Sequence, residues 1–265
     1  MPRLRLLAPL LASLFIAGLL ACSAQADTLL RIDTRPGVQV PVYEMLNPAA
    51  HATLVLLPGG NGGFGKLVDG APSSQNFLVR ERQRFVDAGF HVAVVSRPSD
   101  IPDLDNGTRT GEAHLADLRQ VVASLKARHG KPVWLIGTSR GTVSAAAAAI
   151  ALGDELAGIV MTSSILAWKL PGALPRQALD KIRIPVLMVH HQDDACWACR
   201  AYEAPAVLRA LNAAPFRELI LISGGGPVSG DACEPHHYHG FIGKEAETIQ
   251  HITDWIRQPR SAAAH

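Results

Sequence analysis

Short apolar runs separated by polar segments make up most of the chain from residue 28 onward. Two of these runs, 28–34 and 38–46, flank the turn Arg35-Pro36-Gly37 and predict a pair of neighbouring strands. Later runs are short, apolar and rich in β-branched side chains, as strands buried on both faces of a parallel sheet are. They lie within residues 52–60, 91–99, 132–139, 156–164, 184–191 and 216–226.

Helical patterns fill the intervals between these runs. Two of them end in a glycine, Gly89 and Gly130, which is a common helix stop signal. The predicted helices lie within residues 75–89, 111–130, 141–153, 200–212 and 244–258. Strands that alternate with helices predict an α/β protein, with a mostly parallel central sheet flanked by helices on both faces.

The N-terminus has the features of an export signal. Arg3 and Arg5 precede a mostly apolar run that is shorter than a membrane span, and the run ends in Ala24-Gln25-Ala26. We therefore expect a signal peptide over residues 1–26 and a single domain over residues 27–265, in a periplasmic or secreted protein. Alternatively, the stretch ending at Cys22 resembles a bacterial lipobox, and a lipid on Cys22 would anchor the protein to a membrane. Otherwise no stable membrane insertion is expected.

Composition narrows the class of protein further. Apolar residues make up 48% of the chain, so a large core can form without a structural metal. The formal net charge of +2 is close to neutral and does not indicate nucleic-acid binding. The composition thus favours an ordinary globular domain.

Residues 137–141, Gly-Thr-Ser-Arg-Gly, form a G-x-S-x-G motif. The motif follows a predicted strand and opens a predicted helix, the setting in which a tight turn exposes a nucleophilic serine above a sheet. A serine hydroxyl needs a base to take its proton, and in this arrangement an acid and then a histidine follow the serine along the chain. Candidates for the acid are Asp193 and Asp194, and candidates for the base are His236, His237 and His239.

These landmarks resemble the α/β-hydrolase superfamily over essentially all of the chain after residue 26. The matching stretches are "LLPGGNGG", "GTSRG", "HHQDD" and "HGF". The chain most resembles the small, lid-poor branch similar to dienelactone hydrolases, because residues 165–183 are too few for a cap domain. Those enzymes use a cysteine nucleophile where this chain has Ser139, which weakens any transfer of their substrate.

The resemblance implies a role for each of five residues. Ser139 would be the nucleophile, His239 the base and Asp194 the acid, with Asp193 in reserve for that position. Backbone N–H groups of Gly60 and Arg140 would form the oxyanion hole. No cofactor and no metal is expected.

The cysteines allow two interpretations. Cys196-x2-Cys199 and Cys233-x2-His236 together have the spacing of a zinc site. An exported chain favours oxidation instead, and the acid and base loops that carry Cys196 and Cys233 must converge if the triad forms. We therefore expect a Cys196–Cys233 disulfide.

The predicted function is that of a serine hydrolase that cleaves an ester-type bond of a small substrate through an acyl-enzyme. The alternatives are a peptidase or thioesterase on the same triad, or a non-catalytic binding protein on this fold. Trp168, Trp197 and Tyr238 fall in segments expected to border the site, which points to a substrate with an apolar or aromatic part.

Overall fold

The computed structural model of the protein describes residues 27–261. The predicted signal peptide, residues 1–26, and its Cys22 lie outside the described residues. Eight strands form one sheet in the order β1-β2-β6-β3-β7-β8-β9-β10, and β4 and β5 form a separate small hairpin. The strands are β1 (Thr28–Arg35), β2 (Val38–Met45), β3 (Thr53–Leu57), β4 (Leu67–Val68), β5 (Ala71–Pro72), β6 (His91–Val95), β7 (Val133–Thr138), β8 (Gly158–Thr162), β9 (Val186–His191) and β10 (Arg217–Ile222).

Within residues 27–261, six α-helices and several short 3-10 turns connect the strands. The helices are α1 (Phe77–Arg80), α2 (Arg82–Asp87), α3 (Glu112–His129), α4 (Gly141–Leu152), α5 (Ala204–Ala210) and α6 (Glu245–Arg257). None of the helices within residues 27–261 is long and apolar enough to cross a bilayer.

Strand direction determines where functional side chains can meet. In the large sheet β2 runs antiparallel to both of its neighbours, and every pair from β6 through to β10 is parallel. The carboxyl ends of the parallel strands therefore lie at one edge of the sheet, which is where ligands bind in open α/β sheets. The loops that follow β3, β7, β9 and β10 all start at this edge.

Alternation of side chains along the strands produces two cores. Val55 and Leu57 of β3 belong to one cluster of buried residues, and Leu54 and Leu56 belong to the other. The first cluster packs the sheet against α3, α4 and α5. The second packs it against α1, α2 and α6. The predicted arrangement, with helices on both faces, is confirmed.

Three local features differ from the predictions. The single helix expected within residues 75–89 is interrupted at Glu81, whose ψ of 7° leaves the helical range. The helix expected within 200–212 is reduced to a 3-10 turn followed by α5. The β4–β5 hairpin has no counterpart among the predicted strands. Residues 165–183 contain only two 3-10 turns besides irregular chain, so there is no cap domain among the described residues, as expected.

Helix α4 lies very close to the sheet because its first residue lacks a side chain. A Cβ atom on Gly141 would lie 1.9 Å from the carbonyl oxygen of Leu57 in β3. Buried alanines follow in the helix and continue the close approach. Backbone atoms cannot move aside as a flexible side chain can, so this contact admits only glycine.

We predict that Gly141→Ala lowers the melting temperature by roughly 5–10 °C. Overpacking of this kind lowers the free energy of unfolding by about 1–3 kcal/mol, and in a domain of this size each kcal/mol corresponds to about 2–4 °C. The matched control is Gly107→Ala, where the new Cβ would meet only a side-chain oxygen of Asp105 at 3.4 Å. Thermal unfolding followed by circular dichroism measures both. Equal melting temperatures for the two variants would show that the contact at Gly141 is not a constraint.

Candidate active site

Ser139 lies in the tight turn between β7 and α4. Its φ of 53° is in the left-handed region, which costs a non-glycine residue of order 1–3 kcal/mol. Hydrogen bonds on both sides hold this conformation. The Ser139 N–H donates to Thr162 O at 3.0 Å, and the Thr142 hydroxyl donates to Ser139 O at 2.7 Å. The turn therefore presents the serine at the carboxyl edge of the sheet.

Glycines surround this turn because backbone approaches backbone there. A Cβ atom on Gly137 would lie 2.4 Å from Gly141 O, and one on Gly59 would lie 2.8 Å from the Cβ of Ser139. The first contact explains the two glycines of the motif. The second brings the loop after β3 directly against the serine.

Asp194 and His239 form a buried pair beside this turn. His239 Nδ1 donates to Asp194 Oδ2 at 3.0 Å, and both side chains are almost fully buried. The other carboxylate oxygen, Asp194 Oδ1, accepts from the Cys196 N–H at 2.9 Å. Both oxygens of the carboxylate are therefore hydrogen-bonded. Because Asp194 takes His239 Nδ1, the other ring nitrogen, Nε2, can interact with another partner.

The neighbouring candidates occupy different positions. Asp193 is exposed, and its N–H donates to His191 Nδ1 at 3.1 Å. His236 is exposed and His237 half-buried, and neither contacts Asp194 in the described part of the chain. The structure pairs Asp194, and not Asp193, with His239.

The loop that carries His239 is anchored from several sides. The Ser163 hydroxyl donates to His239 O at 2.8 Å. A Cβ atom on Gly240 would lie 1.9 Å from Pro235 O, so the residue after the histidine must be glycine. Phe241 is fully buried and packs against Phe77, with ring centroids 4.9 Å apart.

Arg80 also holds this loop, which the sequence alone did not indicate. Its guanidinium donates to Pro235 O at 3.1 Å and Gly240 O at 2.8 Å, and it pairs with Glu245 at 2.8 Å. The break between α1 and α2 follows directly after Arg80. A single cation therefore fixes the histidine loop and the start of α6.

Two histidines at the end of β9 support the acid loop. His191 Nε2 donates to Gly224 O at 2.7 Å, and the ring stacks on Tyr238 with centroids 4.3 Å apart. This side chain therefore links the acid loop to the histidine loop. His190 is fully buried, and burial lowers its pKa to about 4, so it is neutral at physiological pH. Its Nε2 accepts from the Ser164 N–H at 3.2 Å.

Ser139 and His239 line one cavity of about 400 Å³, together with Gly60 and Cys233. Among the turn and loop hydrogen bonds of residues 27–261, the N–H groups of Gly60 and Arg140 are not donors. Neither N–H group therefore has a backbone acceptor among these hydrogen bonds. The remaining wall is mostly glycine backbone and polar side chains, including Asn61, Gln75, Asn76 and Glu234.

Arg109 lies beneath the glycine-rich loop and is fully buried. Its guanidinium donates to Pro58 O at 3.1 Å, Gly60 O at 3.3 Å and the Ser144 hydroxyl at 3.0 Å. Burial lowers the pKa of Arg109 to about 9, so the group remains charged at neutral pH. The sequence offered no signal for this residue, since its partners are backbone carbonyls distant along the chain.

His114 completes this buried polar group. Its Nε2 lies 2.9 Å from Ser144 Oγ, and burial together with the charge of Arg109 lowers its pKa to about 3. His114 is therefore a neutral hydrogen-bond partner, and Arg109 supplies the positive charge below the loop.

The expectation that aromatic residues border the site is wrong. Trp168 and Trp197 are exposed and line a separate groove of about 890 Å³ with Tyr202. Tyr238 packs on His191 instead of lining the cavity. None of the three rings lines the cavity that contains Ser139.

The acid and histidine loops are joined covalently by a Cys196–Cys233 disulfide, the expected pair. Cys199 is a buried free thiol. The zinc spacing considered from the sequence included His236, but the group that the structure brings together is Cys196, Cys199 and His239.

Comparisons with known proteins agree with this architecture. No protein-family model and no curated protein matches the sequence. A Pyrococcus furiosus esterase is similar in structure, with a TM-score of 0.64 and 15% identity over 89% of this chain and 92% of that one. A Xanthomonas campestris α/β serine hydrolase without a lid has a TM-score of 0.59 and 15% identity over 85% of this chain and 94% of that one.

An α/β serine hydrolase homologue from Coxiella burnetii also matches, with a TM-score of 0.59 and 15% identity over 88% of this chain and 97% of that one. At this level of identity the likeness concerns the fold. The strand order, the helices on both faces and the lack of a cap all agree with it, so this protein has the α/β-hydrolase fold in its lid-less form.

Proposed function

We propose that this protein is a serine hydrolase that cleaves an ester-type bond of a small substrate through an acyl-enzyme. The observation that carries the proposal is the buried Asp194–His239 pair, which opens into the same cavity as Ser139. Ser139 lies there on a strained turn at the carboxyl edge of the sheet. These are the parts that nucleophilic acyl transfer requires.

In the first half-reaction Ser139 Oγ attacks the carbonyl carbon of the substrate, and His239 Nε2 takes the hydroxyl proton. Asp194 holds the proton on Nδ1, so Nε2 carries the lone pair, and the carboxylate stabilises the imidazolium that forms. His239 then gives the proton to the departing alcohol. In the second half-reaction water, activated by the same imidazole, releases the acyl group.

The negative charge of the tetrahedral intermediate would be stabilised by the N–H groups of Gly60 and Arg140. Arg109 is a positioning residue in this scheme. It donates to the carbonyls of Pro58 and Gly60 and thereby fixes the peptide planes of the loop.

The cavity favours a small, polar substrate. Its volume of about 400 Å³ is modest, and its lining of glycine backbone and amide side chains makes the surface more polar than apolar, which suits a short acyl group. The fold likeness to a protein described as an esterase supports the ester-type chemistry. We also propose export to an oxidising compartment, which the signal-like residues 1–26 and the Cys196–Cys233 disulfide support.

We predict that Ser139→Ala lowers kcat at least about 10,000-fold on small chromogenic esters, because no other group replaces the nucleophile. The control is Ser99→Ala, which changes an exposed serine and should leave kcat unaltered. A fluorophosphonate probe should label the parent at Ser139 alone, as read by peptide mass mapping. Labelling at another serine, or turnover by Ser139→Ala within tenfold of the parent, would exclude this proposal.

The adjacent aspartates form a matched pair. Asp194→Asn should lower kcat roughly 1,000- to 10,000-fold, because the amide no longer holds His239 in the required tautomer. Asp193→Asn should retain turnover within about threefold, since that carboxylate is exposed and does not contact His239. Steady-state kinetics of both variants at one pH compare them. A larger loss in Asp193→Asn would contradict the assignment of the acid.

Arg109→Lys tests the support of the oxyanion loop. The variant keeps the charge but cannot reach Pro58 O, Gly60 O and Ser144 Oγ together, so kcat should fall about 10- to 100-fold with a smaller change in KM. Affinity for a boronic acid that mimics the tetrahedral intermediate should fall with kcat. Arg119→Lys, on the exposed face of α3, is the control. A kcat within twofold of the parent would show that Arg109 only stabilises the fold.

A further inference from the structure

Three sulfur atoms and one imidazole meet at the base of the candidate active site. The Sγ atoms of Cys196 and Cys199 and a ring nitrogen of His239 all lie within 4.8 Å of one another. Cys233 is bonded to Cys196, so its sulfur is at the same place. We propose that reduction of the Cys196–Cys233 disulfide converts this cluster into a binding site for a thiophilic divalent ion, with Zn²⁺ as the best fit.

The donor set matches the chemistry of zinc. Three thiolates and one imidazole form a Cys3His set, one of the usual tetrahedral combinations. Cys199, Cys196 and His239 are buried, so the ligands start close to one another in a confined space. The spacing of the ligands along the chain suggested His236 as the fourth ligand, whereas the fold supplies His239.

The pair between His239 and Asp194 favours the same site. A histidine that binds a metal usually donates its other ring N–H to a carboxylate, which fixes the ring and raises its basicity. His239 Nδ1 already makes this bond to Asp194 at 3.0 Å. Nε2 is then the metal ligand, and it is also the atom that takes the proton of Ser139 in the proposed mechanism.

The oxidation state of the disulfide controls whether the ion can bind. While Cys196 and Cys233 are joined, neither offers a thiolate, and Cys199 and His239 are left as two ligands. A bound Zn²⁺ supplies the charge that stabilises the thiolate in the interior.

The chemical steps balance with a dithiol as reductant. The dithiol gives two electrons and two protons to the Cys196–Cys233 bond, which becomes two thiols, and the dithiol becomes a disulfide. Zn²⁺ then displaces the three thiol protons of Cys196, Cys199 and Cys233 to solvent. Cys233 is half-buried and lines the cavity with Ser139, so a small reductant can approach the bond from the substrate side.

The binding experiment uses the full mature chain in two forms, one oxidised and one reduced and then freed of reductant without oxygen. Co²⁺ serves as a spectroscopic probe and Zn²⁺ is titrated against a chromophoric chelator. We expect the reduced form to bind one equivalent and to show thiolate-to-cobalt charge-transfer bands. The oxidised form should show neither.

Three variants identify the ligands. Cys199→Ala and His239→Gln should weaken Zn²⁺ binding by the reduced form more than about 100-fold, which exceeds the usual cost of losing an outer partner. His236→Gln is the matched control and should leave the affinity within threefold of the parent. Equal binding by the oxidised form, or an affinity that depends on His236 and not on His239, would overturn the proposal.

Thermal melting tests the case in which reduction unfolds the chain. Zn²⁺ should raise the melting temperature of the reduced parent, or refold it, and should do neither for reduced His239→Gln, because an ion that binds only the native site stabilises only that state. If Zn²⁺ raised the melting temperature equally in the reduced parent and in reduced His239→Gln, the proposed site would be rejected.

The predicted effect of Zn²⁺ on ester hydrolysis rests on the proposed function. The cobalt spectra and the zinc titrations do not depend on it. Zn²⁺ should inhibit ester hydrolysis by the reduced parent in proportion to site occupancy and leave the oxidised parent active. Activity that persists at full occupancy would overturn the link between the metal and His239 Nε2. Stoichiometric binding in a chain without any esterase activity would leave the metal site standing and remove the proposed function alone.

Discussion

The contact between backbone atoms at the carboxyl edge of the sheet is the constraint on which the site depends. Gly141 packs against the Leu57 carbonyl, Gly137 packs against Gly141, and Gly59 packs against Ser139. A side chain at Gly59 or Gly141 would push the loop after β3 away from the serine, and one at Gly137 would displace the start of α4. Because the contacts are between backbones, they place the nucleophile and the glycine-rich loop within one cavity without help from a lid.

Buried cations bonded to carbonyl oxygens hold the loops in place. Arg80 fixes the histidine loop through Pro235 O and Gly240 O, and Arg109 fixes the glycine-rich loop through Pro58 O and Gly60 O. His191, at the end of β9, adds a hydrogen bond to Gly224 O. Loops without regular structure can therefore keep the geometry that catalysis needs, since hydrogen bonds to charged groups are stronger than those between neutral groups.

Much of the architecture was determined by the sequence itself. Runs rich in apolar residues marked the strands of the large sheet, and the central strands were the plainest, because strands buried on both faces are apolar throughout. The setting of Ser139 between a strand and a helix identified the turn, and residues 165–183 were too few for a cap. The acid loop and the histidine loop must both reach Ser139 if the triad forms, and this requirement predicted the pairing of Cys196 with Cys233. These features depend on local composition, order along the chain and length.

Only the tertiary structure decided how the side chains are directed and which distant groups meet. In the structure Asp194, and not Asp193, pairs with His239. Trp168 and Trp197 line a separate groove. Arg109 donates a hydrogen bond to the Gly60 carbonyl. The partners of Arg109 are carbonyl oxygens, which every residue carries, so no pattern of residue types could reveal them. The sequence by itself determined the layers and the order of the candidate catalytic groups, while packing in three dimensions decided their contacts, because those contacts join residues that are far apart along the chain.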